Sequence, residues 1–201
     1  MLFRSGPDAN ELAQLKSGQT LIGLLNPHNT DGIAALAKAG VNGFAMEALP
    51  RISRAQSMDV LSSQANVAGY KAVLMAANAY GKMMPMLMTA AGTVKAARVV
   101  IMGVGVAGLQ AIATAKRLGA VVEATDVRPE TKEQVESLGG KFIDGPLTDA
   151  EKELAKGQGG YARDMGEDYK KRQAALVAER IKQADIVITT ALIPGRPAPV
   201  L

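Results

Sequence analysis

The clearest pattern of hydrophobic and polar positions begins near residue 95. From there, short apolar runs typical of buried strands alternate with stretches in which apolar residues recur at helical spacing. Strands alternating with helices indicate an α/β fold with a doubly wound parallel sheet. A polar, glycine-rich stretch at 145–165 predicts a long mobile loop. The pattern predicts strands at 98–102, 121–125, 141–143 and 185–189, and helices at 106–118, 130–138 and 167–182.

A less regular pattern precedes this region. The methionine-rich run at 83–88 is interpreted as core filler, because flexible thioether side chains adapt to irregular gaps. We expect the chain to be organised as 1–58, the C-terminal part of a first α/β domain; 59–94, a linking helix and loop; and 95–201, a second α/β domain. The predicted elements are strands at 20–25 and 41–45, helices at 30–38 and 58–80, and a polar loop at 51–59.

The composition excludes several classes of function. Of the 201 residues, 48% are hydrophobic and 21% are charged, as in folded globular proteins. The net charge of +4 is spread along the chain, so nucleic-acid binding is not expected. The absence of cysteine excludes disulfides, cysteine-based zinc sites and a thiol nucleophile, and no metal site is predicted. The uncharged stretch 99–115 is explained by a strand, a turn and a buried helix, not by a membrane span.

A glycine motif at 103–108, Gly-Val-Gly-Val-Ala-Gly, joins the first strand of the second domain to its first helix. This context makes the motif typical of a dinucleotide-binding turn. Gly103 permits the tight turn, Gly105 lets the backbone approach a pyrophosphate, and Gly108 lets the helix pack closely on the strand.

The helix after this turn is expected to face the phosphates. Val106 and Ala107 open it, and its free N–H groups carry partial positive charge. The second domain is therefore predicted to be of Rossmann type. Because that fold has six strands and only four are found, the sheet is incomplete and the chain is expected to be a fragment.

An acidic residue stands where the second strand of this domain ends. Asp126 follows Gly108 by 18 residues, a position from which a carboxylate accepts hydrogen bonds from the adenosine ribose. The carboxylate would also repel a 2′-phosphate, which favours NAD(H) over NADP(H). Arg128, beyond Val127, is the counter-argument, because an arginine can hold that phosphate. A structural alternative is that Asp126 only caps the next helix.

A second polar cluster, at 51–59, is harder to explain by folding alone. Capping accounts for Ser57 or Asp59 but gives Gln56 no task. In this region the chain resembles the alpha subunit, the NAD(H)-binding domain, of proton-translocating NAD(P) transhydrogenase, in the alanine dehydrogenase/transhydrogenase superfamily. The stretches that carry the resemblance are 51–59, 62–70, 88–93, 103–117, 124–128 and 189–199.

The resemblance implies a nicotinamide site. Arg51, Gln56 and Asp59 are the implied catalytic residues, and together with Ser62 they would orient the dihydronicotinamide. Tyr70 would support that site.

The resemblance also implies further contacts with the nucleotide. The loop around Gly160 and Tyr161 would close over bound nucleotide, and the segment Thr190, Ala191 and Leu192 would lie near the nicotinamide ribose. The cofactor set is NAD(H) on this chain and NADP(H) on a partner domain.

Several partners follow from the same resemblance. They are an NADP(H)-binding domain or beta subunit, a membrane domain that couples the reaction to proton movement, and a second copy in a homodimer of the full-length protein. The expected location is a peripheral domain on the cytoplasmic face of the bacterial inner membrane, or on the matrix side in a mitochondrion.

The chemistry separates three alternatives. Most NAD-dependent dehydrogenases need a proton acceptor near the reacting carbon, but hydride transfer between two nicotinamides does not. The single histidine, His28, is interpreted as a turn residue. The alternatives to transhydrogenation are an amino-acid dehydrogenase resembling alanine dehydrogenase and a non-catalytic NAD-binding module.

Overall fold

The chain forms two units, Met1–Gln64 and Ala65–Leu201. The computed structural model describes residues 2–3, 5–50, 52–128, 130–145, 167–191 and 198. The three-segment organisation expected from the sequence stays a prediction.

The first unit contains a three-stranded parallel sheet with a small leucine core. Its strands lie in the order β1-β2-β3, and Leu21, Leu25 and Leu36 are buried together. The second helix begins where the sequence predicts, because the Asn29 side chain accepts a hydrogen bond from the Gly32 N–H at 3.2 Å and caps the first turn. The elements are β1 (Leu2–Phe3), α1 (Ala9–Ala13), β2 (Thr20–Gly23), α2 (Thr30–Lys38) and β3 (Asn42–Ala45).

The segment predicted as a polar loop at 51–59 is partly helical. Two 3-10 helices, Met46–Ala48 and Ser53–Met58, lie between β3 and the long helix α3 (Val60–Tyr80). The prediction of a plain loop is wrong because polar residues lack the apolar period that marks a helix. Here hydrogen bonds three residues apart, such as Asp59 N–H to the Gln56 carbonyl at 3.2 Å, close the turns instead.

The methionine-rich run leads into an antiparallel hairpin that the sequence pattern missed. Its strands are β4 (Leu87–Thr89) and β5 (Gly92–Val94). Met84 is buried, but Met83, Met86 and Met88 are exposed. The interpretation of this run as core filler is therefore wrong for most of its side chains.

The second unit is organised around a four-stranded parallel sheet in the order β8-β7-β6-β9. Successive side chains of β6 (Arg98–Met102), one of the two inner strands, face two different cores. Val99 and Ile101 pack with the cluster that includes residues of α3 and α4, whereas Val100 packs with Ile143 and Val177 of the opposite cluster. The elements are β6 (Arg98–Met102), α4 (Val106–Arg117), β7 (Val121–Thr125), α5 (Thr131–Ser137), β8 (Lys141–Phe142), α6 (Glu167–Lys182) and β9 (Ile186–Thr189).

This arrangement confirms the predicted α/β fold with a parallel sheet. The two inner strands, β6 and β7, are buried on both faces of the sheet, where successive side chains meet opposite cores. The outer strand β9 alternates buried and exposed residues. In a parallel sheet of this kind the carboxyl ends of β6, β7 and β9 share one edge, and ligands bind in the crevice outside that edge. The residues that follow these three strands are therefore the candidates for a site.

Candidate functional site

The turn after β6 uses its first and third glycines for steric reasons. Gly103 has a φ of +96°, and a Cβ there would lie 2.8 Å from the Thr190 hydroxyl oxygen and 3.1 Å from the Ala191 nitrogen. A Cβ on Gly108 would collide with the Gly103 carbonyl oxygen. A left-handed backbone and close contacts both disfavour a side chain at Gly103. At Gly108 the close contact alone excludes one.

Gly105 is different, because its Cβ direction is open. Its φ is −81°, which any residue can adopt. Apart from its chain neighbours, no heavy atom of the described residues lies within 4 Å of a Cβ placed there. Space at this position is what a ligand that approaches the backbone requires.

The first turn of α4 presents backbone donors beside that space. Gly105 is the N-cap and has no side chain, so it does not cap the N–H groups of Val106 and Ala107. Unsatisfied N–H groups and the helix dipole together favour an anion at such an end.

Gly69, to which the sequence interpretation gave no role, and Thr190 shape this turn. A Cβ on Gly69 of α3 would collide with the Ala107 carbonyl oxygen, so this glycine lets α3 approach the first turn of α4. The Thr190 hydroxyl donates to the Gly103 carbonyl at 2.8 Å and ties the end of β9 to the turn. A buried glycine inside an alanine-rich helix is the sequence signal that could have identified Gly69.

Asp126 connects the end of β7 to the glycine turn. One of its carboxylate oxygens, Oδ2, accepts from the Val104 N–H at 2.7 Å and from Arg128 Nη2 at 3.2 Å. The other, Oδ1, accepts from the Arg128 N–H at 2.9 Å and from Arg128 Nε at 3.0 Å. The side chain is only 8% exposed. The first helical residue of α5 is Thr131, with Glu130 at its N-cap, so capping α5 is not the role of Asp126.

The carboxylate of Asp126 is held in its charged form. Burial by itself would raise the pKa of Asp126, but the Arg128 side chain and the N–H groups of Val104 and Arg128 outweigh it, and the pKa lies below its ordinary value. An ionised carboxylate, paired with the Arg128 guanidinium, therefore lies beside the glycine turn.

Of the other predicted nucleotide contacts in the second unit, only Ala191 is seen beside the glycine turn in the described residues. Ala191 lies next to Gly103, as the 3.1 Å approach shows. Tyr70 is half-exposed and follows Gly69 in α3, and Val127 is almost fully exposed. Tyr161 and Leu192 lie outside the described residues.

Within the first unit, Gln56, Asp59 and Ser62 lie close together along the chain where α3 begins. The Asp59 carboxylate accepts from the Ser62 N–H at 2.9 Å and from the Ser62 hydroxyl at 2.7 Å. Asp59 is thus the N-cap of α3. Arg51 lies outside the described residues.

Gln56 and Asp59 line a small cavity of about 270 Å³. The remaining lining residues are Pro50, Ile52, Ser53 and Ala55. Gln56 is exposed, so its amide is available to a ligand. His28 is exposed in the turn between β2 and α2.

Two kinds of feature are absent from the described part of the chain. No group of three or more His, Asp or Glu side chains there could hold a metal ion. No helix in that part is both long and apolar enough to cross a membrane.

Comparison with known proteins identifies the family. The family model for the C-terminal domain of alanine dehydrogenase/PNT matches residues 72–201, and the one for the N-terminal domain matches residues 5–68. The chain belongs to the alanine dehydrogenase/PNT family. The glycine turn and Asp126 thus lie in the family's C-terminal domain, and Gln56, Asp59 and Ser62 in its N-terminal domain.

Relatives within the alanine dehydrogenase/PNT family include transhydrogenase subunits. An NAD(P) transhydrogenase subunit alpha from Rhodospirillum rubrum is 58% identical over 204 residues, which cover 100% of this chain and 52% of that protein. Its counterpart from Rickettsia prowazekii is 52% identical and covers 96% of this chain and 49% of its own length. The chain spans about half the length of these relatives.

Solved structures agree with this assignment. The transhydrogenase from Sinorhizobium meliloti matches with a TM-score of 0.83 and 57% identity, over 97% of this chain and 51% of that one. An L-alanine dehydrogenase matches with a TM-score of 0.59 and 22% identity, over 92% of this chain and 53% of its own, which shows the shared fold alone.

Proposed function

We propose that the chain is the NAD(H)-binding part of a proton-translocating NAD(P) transhydrogenase. In this proposal, hydride passes directly between NADH on this chain and NADP⁺ held on a partner domain. Relatives named as transhydrogenase alpha subunits, at 58% and 52% identity, support this over the other activity of the family. The alternatives, an amino-acid dehydrogenase and a non-catalytic NAD-binding module, are outcomes of the test below.

The observation that best supports nucleotide binding is the difference in space around the three glycines of the turn. A Cβ is excluded at Gly103 and Gly108 by packing, whereas Gly105 has open space beside the donors of α4. A pyrophosphate requires such space and such donors, so the residues present fit the group. The N–H groups of Val106 and Ala107 would hold the phosphates.

The preference for NAD(H) rests on Asp126. Its depressed pKa keeps it ionised at neutral pH, and an ionised carboxylate accepts from ribose hydroxyls but repels a 2′-phosphate. Arg128 could counter this repulsion, but Asp126 already neutralises its charge at 3.0 Å. Val127 and Ala191 border the same cleft in this proposal.

Bound nicotinamide supplies the hydride chemistry, and the protein supplies position. Gln56 and Asp59 line one cavity, and in this proposal their amide and carboxylate orient the carboxamide of a ring there. Asp59 is held by Ser62, which fixes its direction. Arg51, Tyr70, Tyr161 and Leu192 complete the proposed set. Holding two reactants in register supplies roughly 7–11 kcal/mol of barrier reduction in favourable cases.

The proposed partners follow from the two nucleotides being held on different domains. They are an NADP(H)-binding domain or beta subunit, a membrane domain for proton coupling, and a second copy of the full-length protein. Transfer between two nicotinamides releases no proton at the reacting carbon, so the proton movement has to be coupled elsewhere. The proposed location is the cytoplasmic face of a bacterial inner membrane, or the matrix side in a mitochondrion.

The test uses the full-length subunit mixed with an NADP(H)-binding transhydrogenase domain. Reduction of an NAD⁺ analogue by NADH is followed with NADP(H) present, and pyruvate plus ammonia is run in parallel. We expect turnover that requires the partner domain. Turnover only with pyruvate and ammonia means an alanine-dehydrogenase-like enzyme, and nucleotide binding without turnover in either assay means a non-catalytic module.

A further inference from the structure

The geometry points to Arg128 as an internal competitor of the adenosine ribose for Asp126. This inference rests on the proposed nucleotide site and adds a role within it. Arg128 would not only border the nucleotide: its guanidinium occupies the acceptor positions of Asp126 that the ribose hydroxyls need. It would therefore set how strongly the site distinguishes a ribose from a deoxyribose.

The acceptor capacity of Asp126 is already filled. A carboxylate offers about four lone-pair positions. Two are taken by backbone donors, the N–H groups of Val104 and Arg128, at 2.7 and 2.9 Å. The other two are taken by Nε and Nη2 of the Arg128 side chain, at 3.0 and 3.2 Å. Ribose hydroxyls can bind this carboxylate only by replacing the two side-chain donors.

The guanidinium also reaches the glycine turn. Arg128 Nη2 donates to the Val104 carbonyl at 3.2 Å, so the side chain bridges Asp126 and the residue between Gly103 and Gly105. Asp126 itself is only 8% exposed, whereas the Arg128 side chain is 45% exposed. The carboxylate is thus covered by a group that solvent can reach and that is free to swing outward.

Binding of the ribose would then exchange one set of hydrogen bonds to Asp126 for another. Two guanidinium hydrogen bonds are lost, two hydroxyl hydrogen bonds are gained, and the guanidinium moves into water. A nucleotide that lacks the 2′-hydroxyl gains less from the exchange and can bind with Arg128 still in place. Arg128 therefore penalises the ribose form selectively and lowers the discrimination that Asp126 would otherwise give.

The test measures this discrimination as a ratio of dissociation constants in the full-length protein. The probes are NADH and an NADH analogue that lacks the 2′-hydroxyl of the adenosine ribose, titrated by fluorescence. Attraction between Arg128 and the pyrophosphate is common to both probes and cancels in the ratio. The variant is Arg128→Met, which keeps an unbranched apolar side chain, and the control is Arg117→Met, which removes an exposed positive charge at the far end of α4.

We expect Arg128→Met to raise the preference for NADH over the deoxy analogue about two- to fivefold, the range for a partly exposed ion pair, and Arg117→Met to leave it unchanged. An unchanged or lowered ratio in Arg128→Met overturns the inference. Asp126→Asn distinguishes failure of the role given to Arg128 from failure of the proposed ribose contact of Asp126. If the ratio in the unmutated protein already equals that in Asp126→Asn, Asp126 does not bind the ribose and the proposed site fails with it.

Discussion

Replacing Gly105 by alanine should separate nucleotide binding from folding. The backbone there has a φ of −81°, and the added Cβ meets no described heavy atom within 4 Å apart from its chain neighbours. Losing a glycine from the unfolded chain stabilises by about 0.4–1 kcal/mol. Alanine is a poorer N-cap than glycine by a similar amount, roughly 0.5–1 kcal/mol. The two effects offset, so the free energy of unfolding should change by less than about 0.5 kcal/mol.

Nucleotide affinity should fall by much more. The added methyl group would occupy the space that a pyrophosphate needs beside α4. Forcing an extra carbon into a filled contact costs roughly 1–3 kcal/mol, and 1.4 kcal/mol is tenfold in affinity. We therefore expect NADH to bind about 5- to 150-fold more weakly to Gly105→Ala.

The assay pairs denaturant unfolding with fluorescence titration of NADH, and Gly108→Ala is the matched control. That Cβ collides with the Gly103 carbonyl oxygen, so the control should lose stability as well as affinity. Unchanged NADH affinity in a folded Gly105→Ala protein would refute the placement of the pyrophosphate. A large loss of stability in Gly105→Ala would instead contradict the open space described for its Cβ.

Four further outcomes are expected. Asp126→Ala should weaken NADH binding and relax discrimination against NADPH; an unchanged nucleotide preference in competition titrations would sink its assigned role. Because the folded pKa of Asp126 is lowered, its contribution to stability is present above the ordinary value of 3.8 and is lost as pH falls through the lower folded value. The stability difference between the unmutated protein and Asp126→Asn, measured by urea unfolding, should therefore shrink below about pH 4, and a constant difference would contradict this. Gly69→Ala should destabilise by about 1–3 kcal/mol through its collision with the first turn of α4, whereas Asn78→Ala, on an exposed position of the same helix, should not; equal melting temperatures for the two variants would argue against the close approach. Gln56→Asn should slow hydride transfer more than it weakens NADH binding, and stopped-flow rates that fall only in proportion to affinity would count against a positioning role.

Each unit of the chain contains its own group of proposed functional residues. The glycine turn, Asp126 and Arg128 belong to the second unit, whereas Gln56 and Asp59 belong to the first. Each group can be tested by its own readout: nucleotide preference for the second unit and hydride transfer rate for the first.

The sequence by itself determined the four-stranded sheet of the second unit and the helices that alternate with its strands. Strands at 98–102 and 121–125 and the helix at 167–182 lie where the pattern predicts them. Their signal is local: a strand buried on both faces must be a continuous apolar run, and a glycine turn must carry its glycines at fixed spacing. The same local logic located Asp126, because the residue after a strand is defined as soon as the strand is.

Only the tertiary structure decided which groups meet. The collision that requires Gly69 joins α3 to α4, residues nearly forty positions apart, and no local pattern records such a contact. The exposure of Met88 depends on the hairpin to which it belongs. Arg128 appeared in the sequence as a possible phosphate ligand, but its hydrogen bond to the Val104 carbonyl depends on how β7 and the glycine turn are brought together. Propensity and periodicity act along the chain, whereas steric exclusion and hydrogen-bond competition act between segments that only folding brings into contact.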